Sequence, residues 1–190
     1  MRVEWVRGSK FRIFLLLVEQ KNATFVAVKI ERIMRIGFGF DVHALAEGLD
    51  LVLCGVKVPS TFGCVAHSDG DVAIHALCDA LLGATALGDI GKHFPDNDQA
   101  YKGIDSTILL ARTINLIHNE GYKVGNVDIT IALERPKLRP FIDQMRARLA
   151  EVMGVEVGAV SVKATTTEKL GFTGRGEGVS AYAVVLVVPN

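Results

Sequence analysis

From Met34 to the C-terminus, short β-type runs alternate with longer segments of helical periodicity, and this alternation restricts the chain to layers of helix packed on sheet. The strand-like runs are Arg35–Phe40, Leu51–Val58, Asn126–Leu133, Val160–Thr165 and Val179–Val187. The helical segments are Asp71–Leu82, Ser106–Asn119 and Arg139–Met153. Ser68 or Asp69 is placed to cap the first and Asp105 or Ser106 the second, while Gly83, Gly121 and Gly154 mark helix ends. An α/β or α+β layer fold follows. At 190 residues, 49% of them hydrophobic, the chain can bury one core, and no repeat, low-complexity tract or Pro-rich linker divides it.

Charge separates the first 33 residues from the rest. They hold seven basic and three acidic residues, against 14 basic and 18 acidic in residues 34–190. Glu4, Glu19 and Glu31 count against an organellar transit sequence, and the apolar run Ile13 to Val18 is too short for a secretory signal. Residues 1–33 therefore read as an N-terminal extension of uncertain origin and 34–190 as the functional domain, with Met34 an alternative start. A bacterial-type cytoplasmic location is expected, or a plastid-like organelle if the extension is a targeting segment. Zero formal net charge argues against a whole-surface grip on nucleic acid or anionic membrane, so any anion site must be local. No apolar run approaches the ~20 residues that cross a bilayer. Cys54, Cys64 and Cys78 are odd in number and lack C-x-x-C spacing, which suggests neither a disulfide framework nor a thiolate metal site.

Two segments carry metal-binding residue types. Asp41-Val42-His43 follows a predicted strand, where residues two apart project to one face and can converge on an ion. His67-Ser68-Asp69-Gly70-Asp71 runs through a glycine turn into a helix on which Asp71, His75 and Asp79 recur every four residues. Asp41, His43 and His75 make a suitable catalytic zinc set, since three protein ligands leave a fourth position open. Asp79 could instead accept a hydrogen bond from His75. Taken alone, Asp-x-His is also an ordinary turn, and His75 a polar core residue.

Near the C-terminus, Lys163-Ala164-Thr165-Thr166-Thr167-Glu168-Lys169-Leu170 leaves a strand and enters a short helix. Hydroxyls and backbone N–H groups there suit phosphate oxygens, and Glu168 suits a hard cation between phosphates. The same threonines also suit a plain strand, with Thr167 capping the next turn. Gly171 to Gly178 matches no dinucleotide or P-loop pattern; Arg175 within it could grip a diphosphate or pair with Glu177. Glu134-Arg135-Pro136-Lys137 offers two cations beside a proline, or a solvated turn.

Together and in order, Gly39-Phe40-Asp41-Val42-His43, Ala66-His67-Ser68-Asp69-Gly70-Asp71, Gly88-Asp89-Ile90-Gly91, Phe94-Pro95-Asp96, Tyr101-Lys102-Gly103, Gly125-Asn126-Val127-Asp128, Pro136-Lys137 and Lys163 to Phe172 resemble the 2-C-methyl-D-erythritol 2,4-cyclodiphosphate synthase family. The likeness runs from Met34 to the end. It implies a phosphorus–oxygen lyase of the non-mevalonate isoprenoid pathway, cyclising 4-diphosphocytidyl-2-C-methyl-D-erythritol 2-phosphate with release of CMP. It also implies a two-layer α+β subunit with a mixed four- to five-stranded sheet and helices on one face. Three such subunits would form a homotrimer with active sites at the subunit junctions. By the same resemblance, Zn2+ sits on Asp41, His43 and His75, and Mg2+ or Mn2+ bridges substrate phosphates near Glu168.

His67 and Thr166 match the family's transition-state stabilisers. The methylerythritol phosphate end would contact Asp41, Val42, His43, His67, Ser68, Asp89, Ile90, Gly91, Phe94, Pro95, Asp96, Asn97 and Asp98. The cytidine diphosphate end would contact Leu133, Glu134, Arg135, Pro136, Lys137, Leu138, Arg139, Ala164, Thr165, Thr166, Thr167, Glu168, Phe172 and Arg175. A central apolar cavity near Phe40, Phe172, Arg175 and Glu177 would hold an isoprenoid diphosphate. The chain departs from many relatives in reading Gly37-Phe38-Gly39-Phe40-Asp41 where they have Gly-His-Gly-Phe-Asp, and in the charge of Leu133 to Arg139. A zinc phosphoesterase using bound water, or a silent trimer storing metal or isoprenoid diphosphate, would share the ligand set.

Overall fold

The computed structural model describes residues 33–190 throughout and, of residues 1–32, the backbone of three strands. These are β1 (Val3–Arg7), β2 (Arg12–Leu16) and β3 (Val26–Lys29), an antiparallel sheet in the order β1-β2-β3. The remainder of the extension, and with it most of the expectation of a targeting segment, lies outside the described residues. The chain divides into two compact units at Ile33/Met34.

In the second unit a five-stranded sheet is built from β4 (Arg35–Glu47), β7 (Phe62–Cys64), β8 (Tyr122–Ala132), β9 (Val160–Thr165) and β10 (Gly178–Pro189), in the order β7-β4-β10-β8-β9. Only the β8–β9 pair is parallel, so the sheet is mixed. The predicted run Leu51–Val58 is not a strand of this sheet. It is a separate hairpin of β5 (Leu51–Leu53) and β6 (Val56–Val58), because Cys54 and Gly55 take positive φ and turn the chain back. The helices are α1 (Val72–Ala84), α2 (Ile90–His93), α3 (Ser106–Asn119), α4 (Ile142–Met153) and α5 (Gly171–Gly174). Arg139–Phe141, predicted as the start of a helix, is a 3-10 turn ahead of α4, with Pro140 inside it.

α1 is the centre of the core. It packs on β4 and β10 on one side and on α3 on the other. Ten of its 13 residues are buried, so it is apolar almost all round. His75, Asp79 and Gly83 are its remaining positions, and Gly83 lies inside the last turn instead of ending the helix as the sequence suggested.

What lets α1 sit so near the sheet is the Gly37-Phe38-Gly39-Phe40 alternation. The pleat sends Phe38 and Phe40 outward, 63% and 45% exposed, and turns the two glycines toward α1. A Cβ at Gly37 would collide with the Ala80 carbonyl oxygen, and one at Gly39 with that of Ala76. The helix answers with a stripe of small residues, Ala76, Ala80 and Ala84, four apart. On β10, Ala183 stands opposite Gly39 and Ala181 opposite Asp41, both fully buried.

The entry to α1 is fixed by Asp71, which is the N-cap in place of Ser68 or Asp69. Its carboxylate accepts from Ile74 N at 3.1 Å and also from Cys54 N at 2.9 Å and Gly55 N at 2.6 Å, joining the β5–β6 turn to the helix. Burial pushes its carboxyl up to about 6, while the three amides pull it back down. Asp105 caps α3 through Thr107 N, and Gly154, in the left-handed region, ends α4.

Replacing Gly39 with Ala should cost on the order of 3 kcal/mol, because strand or helix must give way at a backbone contact. Gly158→Ala, which meets nothing within 4 Å, serves as the control and should stay near wild type. Chemical denaturation of both variants measures the difference; equal midpoints would reject the close-packing account.

Candidate functional site

Asp41 and His43 lie within β4, further along the face that carries Gly37 and Gly39, and not beyond the strand's end as predicted. His75 is one residue from Ala76 on α1. The close approach of helix to strand therefore delivers all three side chains to one point. His75 Nδ1 is 3.1 Å from Asp41 Oδ2 and 3.1 Å from His43 Nε2, and His43 Nε2 is 3.4 Å from Asp41 Oδ2. The other Asp41 oxygen is held by Val42 N at 2.8 Å, which leaves Oδ2 aimed at the histidines.

This triangle fits a divalent metal. Four-coordinate zinc with bonds of about 2.0–2.1 Å holds neighbouring donor atoms roughly 3.3–3.4 Å apart, close to the separations here. Burial lowers the His43 pKa from its ordinary value, against the opposing pull of Asp41 and with that of His75, and so favours the neutral imidazole that ligates metals. Among the described residues, Asp41, His43 and His75 are the group of His, Cys, Asp and Glu side chains placed to hold an ion.

The triangle opens into a cleft of about 460 Å³. Predicted contacts Asp41, His43, His67, Ser68, Ile90, Gly91, Phe94 and Asp96 line it, whereas Val42, Asp89, Pro95, Asn97 and Asp98 do not. Val42 faces the other side of the pleat, 42% exposed, and Asp89 is spent capping α2 through Lys92 N. Asp98 caps the Gln99–Tyr101 turn, and its carbonyl lies 3.3 Å from His67 Nε2. Sequence reasoning did not assign Tyr101, Ile104 and Leu109 to this cleft, although Tyr101 stood in a quoted motif. Ile104 and Leu109 carried no signal beyond being apolar. Asp79 also lines the cleft but does not meet His75 as one reading had it. Its carboxylate accepts from Ile90 N at 2.7 Å, fastening α2 over α1, and burial raises its pKa. The distal nitrogen of His75 instead faces Ser106 Oγ at 2.9 Å and Ser68 Oγ at 3.2 Å.

A second cleft, about 600 Å³, is lined by Leu133, Pro136, Lys137, Leu138, Arg139, Ile142, Val162, Lys163, Ala164, Thr165 and Thr166. Of the predicted cytidine contacts, Glu134, Arg135, Thr167, Glu168, Phe172 and Arg175 lie off its lining. Thr167 Oγ1 donates to Leu170 O and does not cap α5, whose N-cap is Leu170 with no side-chain cap bond. Arg175 makes a two-point pair with Glu177 at 2.8 Å. Glu168, in the left-handed region, accepts from Thr166 Oγ1 at 2.8 Å and so connects to the cleft through that hydroxyl. The two clefts share no lining residue: His67 belongs to one and Thr166 to the other.

The sequence profile of the YgbB family matches residues 34–188. The chain belongs to the YgbB family. Its curated relatives in that family include the 2-C-methyl-D-erythritol 2,4-cyclodiphosphate synthase of Thioalkalivibrio sulfidiphilus, 60% identical over 154 residues, which are 81% of this chain and 96% of the relative. A solved 2C-methyl-D-erythritol-2,4-cyclodiphosphate synthase in a CDP-bound form superimposes with a TM-score of 0.76 at 41% identity, covering 81% of this chain and all of that one. The bifunctional IspDF of Campylobacter jejuni superimposes with a TM-score of 0.80 at 41% identity, and this chain spans 83% of its own length but 42% of that protein. Within this YgbB domain the Asp41–His43–His75 group is one that could bind a divalent ion. No helix among the described residues is long and apolar enough to cross a membrane.

His75→Ala should abolish retention of a stoichiometric divalent ion, read by elemental analysis of the purified chain. Full retention by that variant would reject this ligand set.

Proposed function

We propose that the chain converts 4-diphosphocytidyl-2-C-methyl-D-erythritol 2-phosphate to 2-C-methyl-D-erythritol 2,4-cyclodiphosphate and CMP, the activity for which its relatives are named. The observation that carries the reading is the Asp41–His43–His75 triangle opening into a cleft that also contains His67. In the reaction, an oxygen of the 2-phosphate attacks the β-phosphorus of the diphosphate. The bond from that phosphorus to the bridging oxygen breaks, and the bridging oxygen leaves with CMP. Because the nucleophile belongs to the substrate, the protein's task is to fold the substrate back on itself and neutralise phosphate charge.

Zinc on Asp41, His43 and His75 would supply Lewis-acid polarisation of a phosphate oxygen. Glu168 is an exposed carboxylate of the oxygen-donor type that magnesium or manganese takes. His67 offers its imidazole on the methylerythritol side and Thr166 a hydroxyl on the cytidine side. Lys137 and Arg139 supply positive charge beside the cytidine cleft, and Pro136, Leu138 and Ile142 supply its apolar wall. The CDP-bound form of the solved relative supports a cytidine nucleotide here.

Two features support the homotrimer reading. His67 and Thr166 sit in separate clefts of one chain, so a single active centre needs the metal cleft of one subunit beside the threonine cleft of the next. In addition, Ile36, Phe38 and Phe40 of β4 and Tyr182 and Val184 of β10 form an exposed apolar face, with Phe40 opposite Tyr182 and Phe38 opposite Val184. Large exposed apolar patches mark association surfaces. Three such faces around an axis would enclose the apolar cavity, with Arg175, Glu177 and Phe172 near one end as the place for an isoprenoid diphosphate. Residues 1–33 are read as an extension outside this machinery.

Purified full-length chain should release CMP from the cytidylyl substrate in a zinc-dependent way and yield the cyclic product; an open-chain product would mark a phosphoesterase instead. Thr166→Ala should lower turnover on the order of 10²-fold with metal still bound. Unchanged turnover in that variant would remove Thr166 from the catalytic role.

A further inference from the structure

A histidine ligand has two ring nitrogens, and which one bears the proton decides whether the other can bind a metal. His75 Nδ1 faces the triangle; Nε2 faces Ser106 Oγ at 2.9 Å. Ser106 is fully buried at the first position of α3, and its hydroxyl donates to Asp69 Oδ1 at 2.5 Å, a short charge-assisted bond. With its own proton committed to a carboxylate, Ser106 Oγ presents only lone pairs to His75. Asp69 is itself held, accepting from Ser106 N at 2.9 Å and Asp71 N at 3.2 Å, while its backbone N donates to Ile104 O. Ser68 Oγ is the longer contact, 3.2 Å from Nε2, and already accepts from Gly70 N.

The opposing pull comes from Asp41. Its Oδ2, 3.1 Å from His75 Nδ1, would draw the imidazole proton to that nitrogen and leave the wrong tautomer for ligation. We infer that Asp69 and Ser106 form a relay that keeps the His75 proton on Nε2 and orients the ring, making both of them positioning residues of the metal centre. Neither lines the cleft, so the relay acts through His75 and not by touching substrate. The inference rests on the reading of Asp41, His43 and His75 as metal ligands.

The test compares full-length wild type with Ser106→Ala, which removes the hydroxyl while leaving the Ser106 N to Asp69 bond in place. Zinc affinity is measured by competition with a chromophoric chelator, and the His75 tautomer from ring nitrogen shifts of the metal-free protein. Wild type should bind one zinc per chain and show Nε2–H. The variant should bind zinc roughly 10- to 100-fold more weakly, with His75 shifted toward Nδ1–H and an unchanged circular dichroism spectrum. Should Ser106→Ala not fold, Ser106→Cys keeps the side-chain volume with a weak acceptor and should move both readouts the same way. Wild-type affinity in the variant, or weakened affinity with the tautomer unmoved, overturns the relay while the metal centre stands. Wild type that fails to bind zinc overturns the metal reading itself.

Discussion

The geometry of the candidate metal site depends on how near α1 comes to β4. Helix and strand meet through backbone at Gly37 and Gly39, where side chains would otherwise hold them apart, and a stripe of alanines on α1 completes the fit. Close-packed interiors leave little room to adjust such a contact. His75 lies immediately before the first alanine of that stripe, and Asp41 and His43 continue the face of the glycines, so one packing distance sets the separations of three candidate ligand atoms. The same alternation that brings glycines inward sends Phe38 and Phe40 outward, which ties the metal centre to the apolar face on the other side of the sheet.

Around this contact, carboxylates do the fastening. Asp71 joins the β5–β6 turn to the start of α1, Asp79 holds α2, and Asp69 pins the start of α3. Each accepts backbone N–H groups that helix ends or turns leave without partners, which is how charged side chains are tolerated beside an apolar core. Segments 66–68, 90–96 and 101–104 thereby border one cleft. His67 reaches it from the segment between Cys64 and α1, stitched to the 98–104 loop through Gly103 N and its own carbonyl.

The proposed machinery is divided between two clefts of one chain. The threonine segment after β9 and the loop after β8 are brought together because β8 and β9 pair in parallel, with Ala132 beside Thr165. Nothing in one chain carries Thr166 into the metal cleft. The proposed reaction, if it needs both, would require association of two chains.

Much of this was legible in residue order. The alternation of periodicities announced the layers, and Asp-x-His with a helical histidine announced the candidate ligands, because side-chain period and ligand chemistry are local properties. The motifs also pointed to the family, since they recur in fixed order. The sequence could not show that Leu51–Val58 folds into its own hairpin, that Asp71 caps α1, that Asp79 serves α2, or that Ser106 stands behind His75. Those depend on which distant donor lies within about 3 Å of a given acceptor, a matter of how helices and strands pack. Residue types and their spacing determined which atoms could bind a metal; the tertiary structure decided which atoms meet, because only packing converts separation along the chain into distance in space.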